Sequence, residues 1–172
     1  MKEKKLYSGP IFDFVQTKIE IKGKEYVRDI IKVNGGVGIL VIKDHKMLFV
    51  KQYRAAVDMM TLEIPAGKLE AGEDPKETAF RELNEETGLD CKDLIQIHHF
   101  VPTPAFCNET IWIYKAVDPF PSTQRLAMDE DEEIELFWYD LNEAYEMVRN
   151  GTIQDAKTIL AIDYALLEGR NS

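Results

Sequence analysis

Cysteine is scarce in this chain: Cys91 and Cys107 are the only two in 172 residues. A small domain held by disulfides needs a denser framework. The basic start MKEKKLYSGP has no apolar stretch behind it to act as a secretory leader. Free thiols in a cytoplasmic protein are therefore expected. No apolar run reaches the roughly 18 residues of a membrane span, so no membrane role is expected. Histidine is thin as well, at three, and none stands at metal-ligand spacing. His98 and His99 read as strand and rim. Positive charge is in deficit, with 21 Lys and Arg against 31 Asp and Glu, a net charge of −10. Proteins that clamp nucleic acid by its phosphates are basic, so broad nucleic-acid binding is disfavoured. A small anionic ligand stays open, provided arginines or metal ions offset the field locally.

What is present suits one globular domain: 45% of the residues are hydrophobic, enough for a core at this length. Residues 11–20, IFDFVQTKIE, alternate apolar and polar as a half-buried strand does. EYVRDIIKV follows a turn at Lys22-Gly23-Lys24, which predicts a hairpin. GVGILVI and KMLFVKQYR are strands joined at Lys43-Asp44-His45. Further strands fit 93–101, 110–117 and 134–139. Helices fit 75–87, the stretch from Asp140 to Gly151, and 156–167 with Asp155 as N-cap. Strands around a central helix, with a helical C-terminus, predict a mixed sheet packed between helices, an α+β fold. The N-terminal strands, residues 1–34, could form their own small sheet or pair with another subunit.

The stretch GKLEAGEDPKETAFRELNEETGL, residues 67–89, carries the chemistry. Asp74 and Pro75 open a helix, Glu77 offers a capping box, and Gly88 suits the left-handed closing position. At about 100° per residue, Ala79, Phe80 and Leu83 share the core arc, and Glu82, Glu85 and Glu86 share the next one. Arg81 can pair with Glu77 or Glu85, a turn away on either side. A solvated acidic face would explain most such helices. Here Glu82 and Glu86 repel at i,i+4, at a cost of roughly 0.2–0.5 kcal/mol. Acidic residues also oppose the dipole at this end. A hard divalent cation such as Mg²⁺, which takes oxygen ligands and bridges to phosphates, would make the arrangement favourable. The glycines would let the loop turn around it.

Gly67, Glu73, Arg81-Glu82-Leu83, Glu85-Glu86 and Gly88-Leu89 fill every fixed place of the signature G-x5-E-x7-R-E-U-x-E-E-x-G-U, where U is apolar. The chain thereby resembles the Nudix hydrolases. The resemblance implies an α/β/α sandwich with a mixed central sheet over residues 35–172, plus the N-terminal antiparallel strand region. It also implies hydrolysis of a nucleoside diphosphate linked to another moiety, with Mg²⁺, or Mn²⁺ in its place. Glu82 and Glu86 would ligate metal directly, Glu85 directly or through water, and Ala66 through its backbone carbonyl. Glu73 and Arg81 would brace the loop against the helix.

Further stretches resemble the ADP-ribose pyrophosphatases within that family. TPAFCNE matches their proline-bearing loop at Thr103, Pro104, Phe106 and Glu109, while Ala105 replaces the usual glycine. KQYR and LEIPAGKLE also match. Arg54 would hold the pyrophosphate through two parallel hydrogen bonds, and Glu63 would support the loop. Arg28 stands where that subfamily carries a substrate arginine, though a surface charge is the plainer reading of a lone arginine on a strand. Phe12 and Phe14 read as core packing, with adenine stacking across a dimer interface as the alternative. The run DEDEE, residues 129–133, resembles the late catalytic loop, which makes Glu130 the base and Glu132 a metal ligand, with Glu133 a candidate if the register slips. GTIQDAKTILAI resembles the start of the subfamily's C-terminal helix. A homodimer with exchanged N-terminal strands is implied.

The resemblance predicts conversion of ADP-ribose to AMP and ribose 5-phosphate. Another nucleotide sugar, such as GDP-mannose or ADP-glucose, is the near alternative, and a nucleotide-sanitising triphosphatase a further one. A nucleotide sensor that has lost catalysis is the alternative from a different class, against which the intact box argues.

Overall fold

The structure, a computed structural model, describes residues 3–127 and 133–169. Its first strands are β1 (Lys4–Ser8), β2 (Asp13–Ile21) and β3 (Lys24–Lys32), and these form a separate three-stranded antiparallel sheet. Lys22 and Gly23, at φ 51° and 76°, make the two-residue turn between β2 and β3. Positive φ at both positions matches the right-handed twist of the flanking strands. The end of β3 is tied to the loop before residue 111: Ile31 N donates to Phe106 O at 2.8 Å, and Asn108 N to Ile31 O at 3.2 Å.

The central strands are β4 (Gly36–Leu40), β5 (Ile42–Lys43), β6 (Lys46–Arg54), β7 (Met59–Glu63) and β8 (Ala66–Lys68). The first helix, α1 (Pro75–Thr87), follows. Then come β9 (Leu89–Asp90), β10 (Asp93–Phe100), β11 (Ile111–Val117), β12 (Phe120–Pro121) and β13 (Glu135–Asp140). Helices α2 (Leu141–Arg149) and α3 (Ala156–Gly169) close the described chain. One sheet has the order β10-β11-β4-β8, in which β11 and β4 run parallel and the other pairs antiparallel. The other runs β13-β6-β5, with β7 also on β6. The two sheets meet where Ile39 N donates to Pro65 O at 2.7 Å and Leu48 N to Val41 O at 3.0 Å.

Strand alternation divides the core. Val37, Ile39 and Val41 pack with Ala79 and Leu83 of α1, Leu94, Tyr114 and Ala116. Leu40, Phe49, Ile64 and Ile113 pack on the opposite side with Ala144 of α2 and Ala161, Ile162 and Ala165 of α3. The result is the expected sandwich, with α1 on one face and α2 and α3 on the other. Leu83 is fully buried, so truncating it to Ala would cost roughly 2–5 kcal/mol.

Helix α1 begins and ends where the sequence places it. Asp74 accepts hydrogen bonds from the Lys76 and Glu77 amides, and Gly88 closes the helix at φ 68° with its N–H on Asn84 O. Such a cap is worth roughly 0.5–2 kcal/mol. The capping box differs from expectation: Asp74 accepts from the Lys76 and Glu77 amides, but Glu77 makes no return bond to the Asp74 amide among the described residues. Phe12 also departs from the core-packing reading. It is exposed and rests at a tilt on Tyr7, because the N-terminal sheet stands apart from the main core.

Candidate active site

Short strand β8 runs antiparallel to β4, pairing Val37 with Gly67 and Gly38 with Ala66, and lies under α1. Gly67 is therefore part of a strand rather than a turn. A Cβ on it would overlap the carboxylate of Glu82. The glycine at this place supplies clearance, and the loop turns instead at Gly72, whose φ is 84°. The expected turning of the loop at glycine thus holds at Gly72, while Gly67 differs.

The three glutamates are not equally exposed. Glu86 is 2% exposed, and its Oε2 accepts from the Ala66 amide at 2.8 Å. The helix packs on β8 as well as on β4, so the buried face widens to include Glu86. Glu82 and Glu85 lie closer to solvent and share Arg81, whose Nη1 is 2.8 Å from Glu82 Oε1 and 2.8 Å from Glu85 Oε2. Arg81 Nε and Nη2 reach Glu73 at 3.2 and 3.3 Å, and Glu73 in turn accepts from the Glu70 amide at 3.0 Å. This is the expected brace of loop against helix. Arg81 chooses Glu73 over Glu77, because Glu73 lies where the loop folds back onto the helix. The guanidinium holds the Glu73 carboxyl down at about 2. Burial works to lower the Arg81 pKa, but its carboxylate partners outweigh it and raise it.

Beside this cluster, Arg54 at the end of β6 binds Glu63 with two parallel bonds, Nε to Oε1 at 2.9 Å and Nη2 to Oε2 at 2.8 Å. Thr61 Oγ1 donates to Glu63 Oε1 at 2.7 Å, and Lys157 Nζ to Glu63 Oε2 at 2.5 Å. Burial pushes the Glu63 carboxyl up, but the bonds from Arg54, Lys157 and Thr61 outweigh it and hold it well below the usual carboxylate range. Arg54 is itself stabilised as a cation, first by its bond to Glu63, with attraction from Glu86 and Asp155 added. Arg54 thus lies within the field of the acidic helix. The fork to Glu63 uses one edge of the guanidinium, and the opposite Nη1–Nη2 edge keeps N–H groups for another anion. Gln52 shares that face of β6 with Arg54 by alternation. Its buried Nε2 has no hydrogen-bond partner among the described residues.

The other expected residues fall elsewhere. Thr103, Pro104 and Glu109 lie in the connection between β10 and β11. There Thr103 O accepts from the Cys107 amide at 3.0 Å, and the Glu109 amide donates to Cys107 Sγ at 3.4 Å. That connection opens onto Ile111, which pairs with Gly36, itself opposite Lys68 of β8. Arg28 sits in the N-terminal sheet opposite Thr17. Its bond to Val27 O at 3.0 Å and its approach to the Tyr26 ring at 5.7 Å stay within that sheet. Glu130 and Glu132 lie outside the described residues, and Glu133 is exposed just before β13.

Two residues escaped the sequence reading. Asn84 fills the variable place inside the signature, yet it is buried. Its Nδ2 donates to Asp90 at 3.0 Å, to Ser122 at 2.9 Å and to Gln124 O at 3.2 Å. Its Oδ1 accepts from the Leu126 amide at 2.8 Å. It fastens the segment after β12 (122–126) onto the acidic helix. Lys157 is the other. An amide in a helix interior and a lysine in a helix's first turn are both ordinary surface residues by pattern, so no sequence signal distinguished them.

The donor set around β8 and α1 fits a hard cation. It consists of oxygens, and a side chain at residue 67 would fill the space that Glu82 occupies. In the arrangement described, Arg81 bridges Glu82 and Glu85, and among the described residues no three carboxylate, thiol or imidazole groups close on a common point. Arg81 would have to release them and keep Glu73 for a metal to take its place.

Comparison with known proteins follows the same line. The family model described as the NUDIX domain matches residues 32–161. The chain is 37% identical over 168 residues to the ADP-ribose pyrophosphatase of Bacillus subtilis (strain 168), covering 96% of this chain and 91% of that one. It is 35% identical over 170 residues to the methanol dehydrogenase activator of Bacillus methanolicus, covering 98% and 92%. A crystal structure of ADP compounds hydrolase superposes with a TM-score of 0.85 at 22% identity, covering 99% of this chain and 94% of that chain, a likeness of fold. With the acidic helix, its loop and the sandwich around them in place, this chain belongs to the Nudix family and is a Nudix hydrolase.

Proposed function

We propose that this hydrolase cleaves the diphosphate bridge of ADP-ribose, giving AMP and ribose 5-phosphate, with Mg²⁺ bound at the acidic helix. The observation that carries the reading is the placement of Arg54 in the field of Glu86, forked onto Glu63 through Nε and Nη2, with Nη1 unbonded among the described residues. The relative named ADP-ribose pyrophosphatase supports the choice of substrate.

Glu82, Glu86 and the Ala66 carbonyl would hold the metal, with Glu85 direct or through water and Glu132 joining from the acidic run. When bound, the metal neutralises phosphate charge and lowers the pKa of a water. Glu130 would take the proton from the attacking water, with Glu133 its alternate. Arg54 would orient the diphosphate through its outer edge. Arg28 and Thr103, Pro104 and Glu109 would meet the remainder of the substrate, Arg28 from the N-terminal sheet of a partner subunit in a homodimer. Residues 1–34 would then act as the dimer-forming arm of the domain at 35–172, in a cytoplasmic enzyme.

A substrate panel with Mg²⁺ and product identification tests the reading. ADP-ribose should turn over far faster than GDP-mannose, ADP-glucose, NADH or nucleoside triphosphates. A clear preference for any of these would reassign the substrate, and tight nucleotide binding without turnover would make the chain a sensor. A second reading, activation of a dehydrogenase, is favoured by the relative named methanol dehydrogenase activator. Adding the chain to a methanol dehydrogenase assay would reveal it.

A further inference from the structure

The stretch GTIQDAKTILAI contributes one side chain to the neighbourhood of the active site. Lys157 stands in the first turn of α3, on the face of the molecule opposite α1. Its side chain is 13% exposed. The stem runs along Gly38 of β4, where an added Cβ would sit 3.6 Å from Lys157 Cδ. The ammonium ends 2.5 Å from Glu63 Oε2 and 3.0 Å from Asp155 Oδ2. Asp155 is itself fixed, because Oδ2 accepts from the Thr158 amide at 3.0 Å. Thr158 Oγ1 in turn accepts from the Ile64 amide at 2.9 Å. The start of α3 is thus fastened to the strand end that carries Glu63, at both Glu63 and Ile64.

We infer that Lys157 is a positioning residue for Arg54, acting through the carboxylate of Glu63; the inference rests on the proposed role of Arg54 in holding the diphosphate. Glu63 is 4% exposed on its side chain, and a buried carboxylate has to be hydrogen-bonded, with about four lone-pair sites to offer. Arg54 supplies two, Thr61 one and Lys157 one. With Lys157 in place the carboxylate cannot rotate, so the guanidinium plane that it grips is fixed and its outer edge keeps one direction. Without Lys157 the carboxylate loses the donor that ties it to α3, and Arg54 follows it. A long, singly charged ammonium suits this task, since it reaches past Gly38 while its stem stays in apolar packing.

The test uses the full chain, with Lys157→Met, which keeps the stem and removes the ammonium, and Lys157→Arg, which keeps a cation. The first readout needs no substrate. The Arg54 Nε–H resonance in a ¹⁵N NMR spectrum, identified by its loss in Arg54→Lys, should exchange with solvent about tenfold faster in Lys157→Met and near the wild-type rate in Lys157→Arg. An unchanged rate in Lys157→Met overturns the inference. The second readout is kinetic, with ADP-ribose and Mg²⁺. Lys157→Met should raise KM about tenfold with kcat within about twofold, and should add nothing in an Arg54→Met background, since it acts only through that side chain. Full additivity would assign Lys157 a general structural role and also overturn the inference. If Arg54→Met alone leaves KM unchanged, the diphosphate role of Arg54 fails, and the NMR exchange rates still decide whether Lys157 holds the guanidinium.

Discussion

The carboxylate of Glu82 occupies the space into which a side chain on residue 67 would project. Gly67 has no positive φ to require glycine, so the constraint is contact alone. Gly67→Ala should therefore leave the fold nearly intact, because the end of a glutamate side chain can swing away. The same swing removes Glu82 from its place against β8. We expect turnover of ADP-ribose to fall by about a hundredfold or more, on the scale of a lost transition-state contact, with a melting temperature within a few degrees of wild type. Steady-state kinetics beside a thermal melt checks both halves.

Glu86 is the buried member of the acidic trio, and its bond to the Ala66 amide ties helix to loop. Glu86→Gln keeps an acceptor for that amide while removing the charge. Turnover should be lost and folding kept, and circular dichroism with single-turnover assays would separate the two. Full activity in this variant would remove Glu86 from the metal site.

A metal bound at the acidic helix as proposed would compete with Arg81 for Glu82 and Glu85. Adding Mg²⁺ should raise the melting temperature in proportion to its logarithm once it exceeds the dissociation constant, with about 2.7 kcal/mol gained at a hundredfold excess. Chelation should abolish activity and return the melting temperature to the metal-free value. Glu82→Gln should flatten the Mg²⁺ dependence. A melt series with and without chelator reads this directly.

Acid should weaken the loop brace. Glu73 is held at about 2 by Arg81, against an ordinary value of 4.5. A depressed carboxyl binds fewer protons folded than unfolded, so its contribution is full above the ordinary value and fades as pH falls toward the folded one. Glu63, held lower still by Arg54 and Lys157, adds to the same slope. Urea midpoints should decline between about pH 4.5 and pH 2, and Glu73→Gln should reduce that slope while lowering stability at pH 7.

The two cysteines should react differently. Both are free, Cys91 buried and Cys107 part-exposed in the loop before β11. Burial pushes the Cys91 thiol up to about 11, so little thiolate exists at pH 8. A thiol reagent at that pH should titrate Cys107 first and Cys91 only on denaturation. Simultaneous labelling would contradict the packing around Cys91.

The bounds of the first helix were legible, because its N-cap, its apolar arc and its closing glycine are local. The hairpin turns expected at Lys22-Gly23-Lys24 and Lys43-Asp44-His45 were legible for the same reason, and fall at 22–23 and 44–45 because Lys24 and Lys43 belong to strands. The burial of Glu86 was not, since it depends on β8 folding beneath the helix. Nor was the bracing partner of Arg81. Spacing along the helix offers Glu77 and Glu85, whereas the loop delivers Glu73 from outside it. Asn84 was hidden because an amide's role depends on which segments reach it, and here the loop at 122–126 does.

The order of residues by itself determined the acidic signature, the helix that displays it and the membership of a hydrolase family, because these rest on short-range spacing and backbone preference. Tertiary structure decided which carboxylate is buried, which arginine edge remains outward, and that a lysine from the far side of the sandwich reaches Glu63. Those are properties of surfaces meeting across distant segments, and a charge's strength is set by the desolvation and the partners that only such meetings provide.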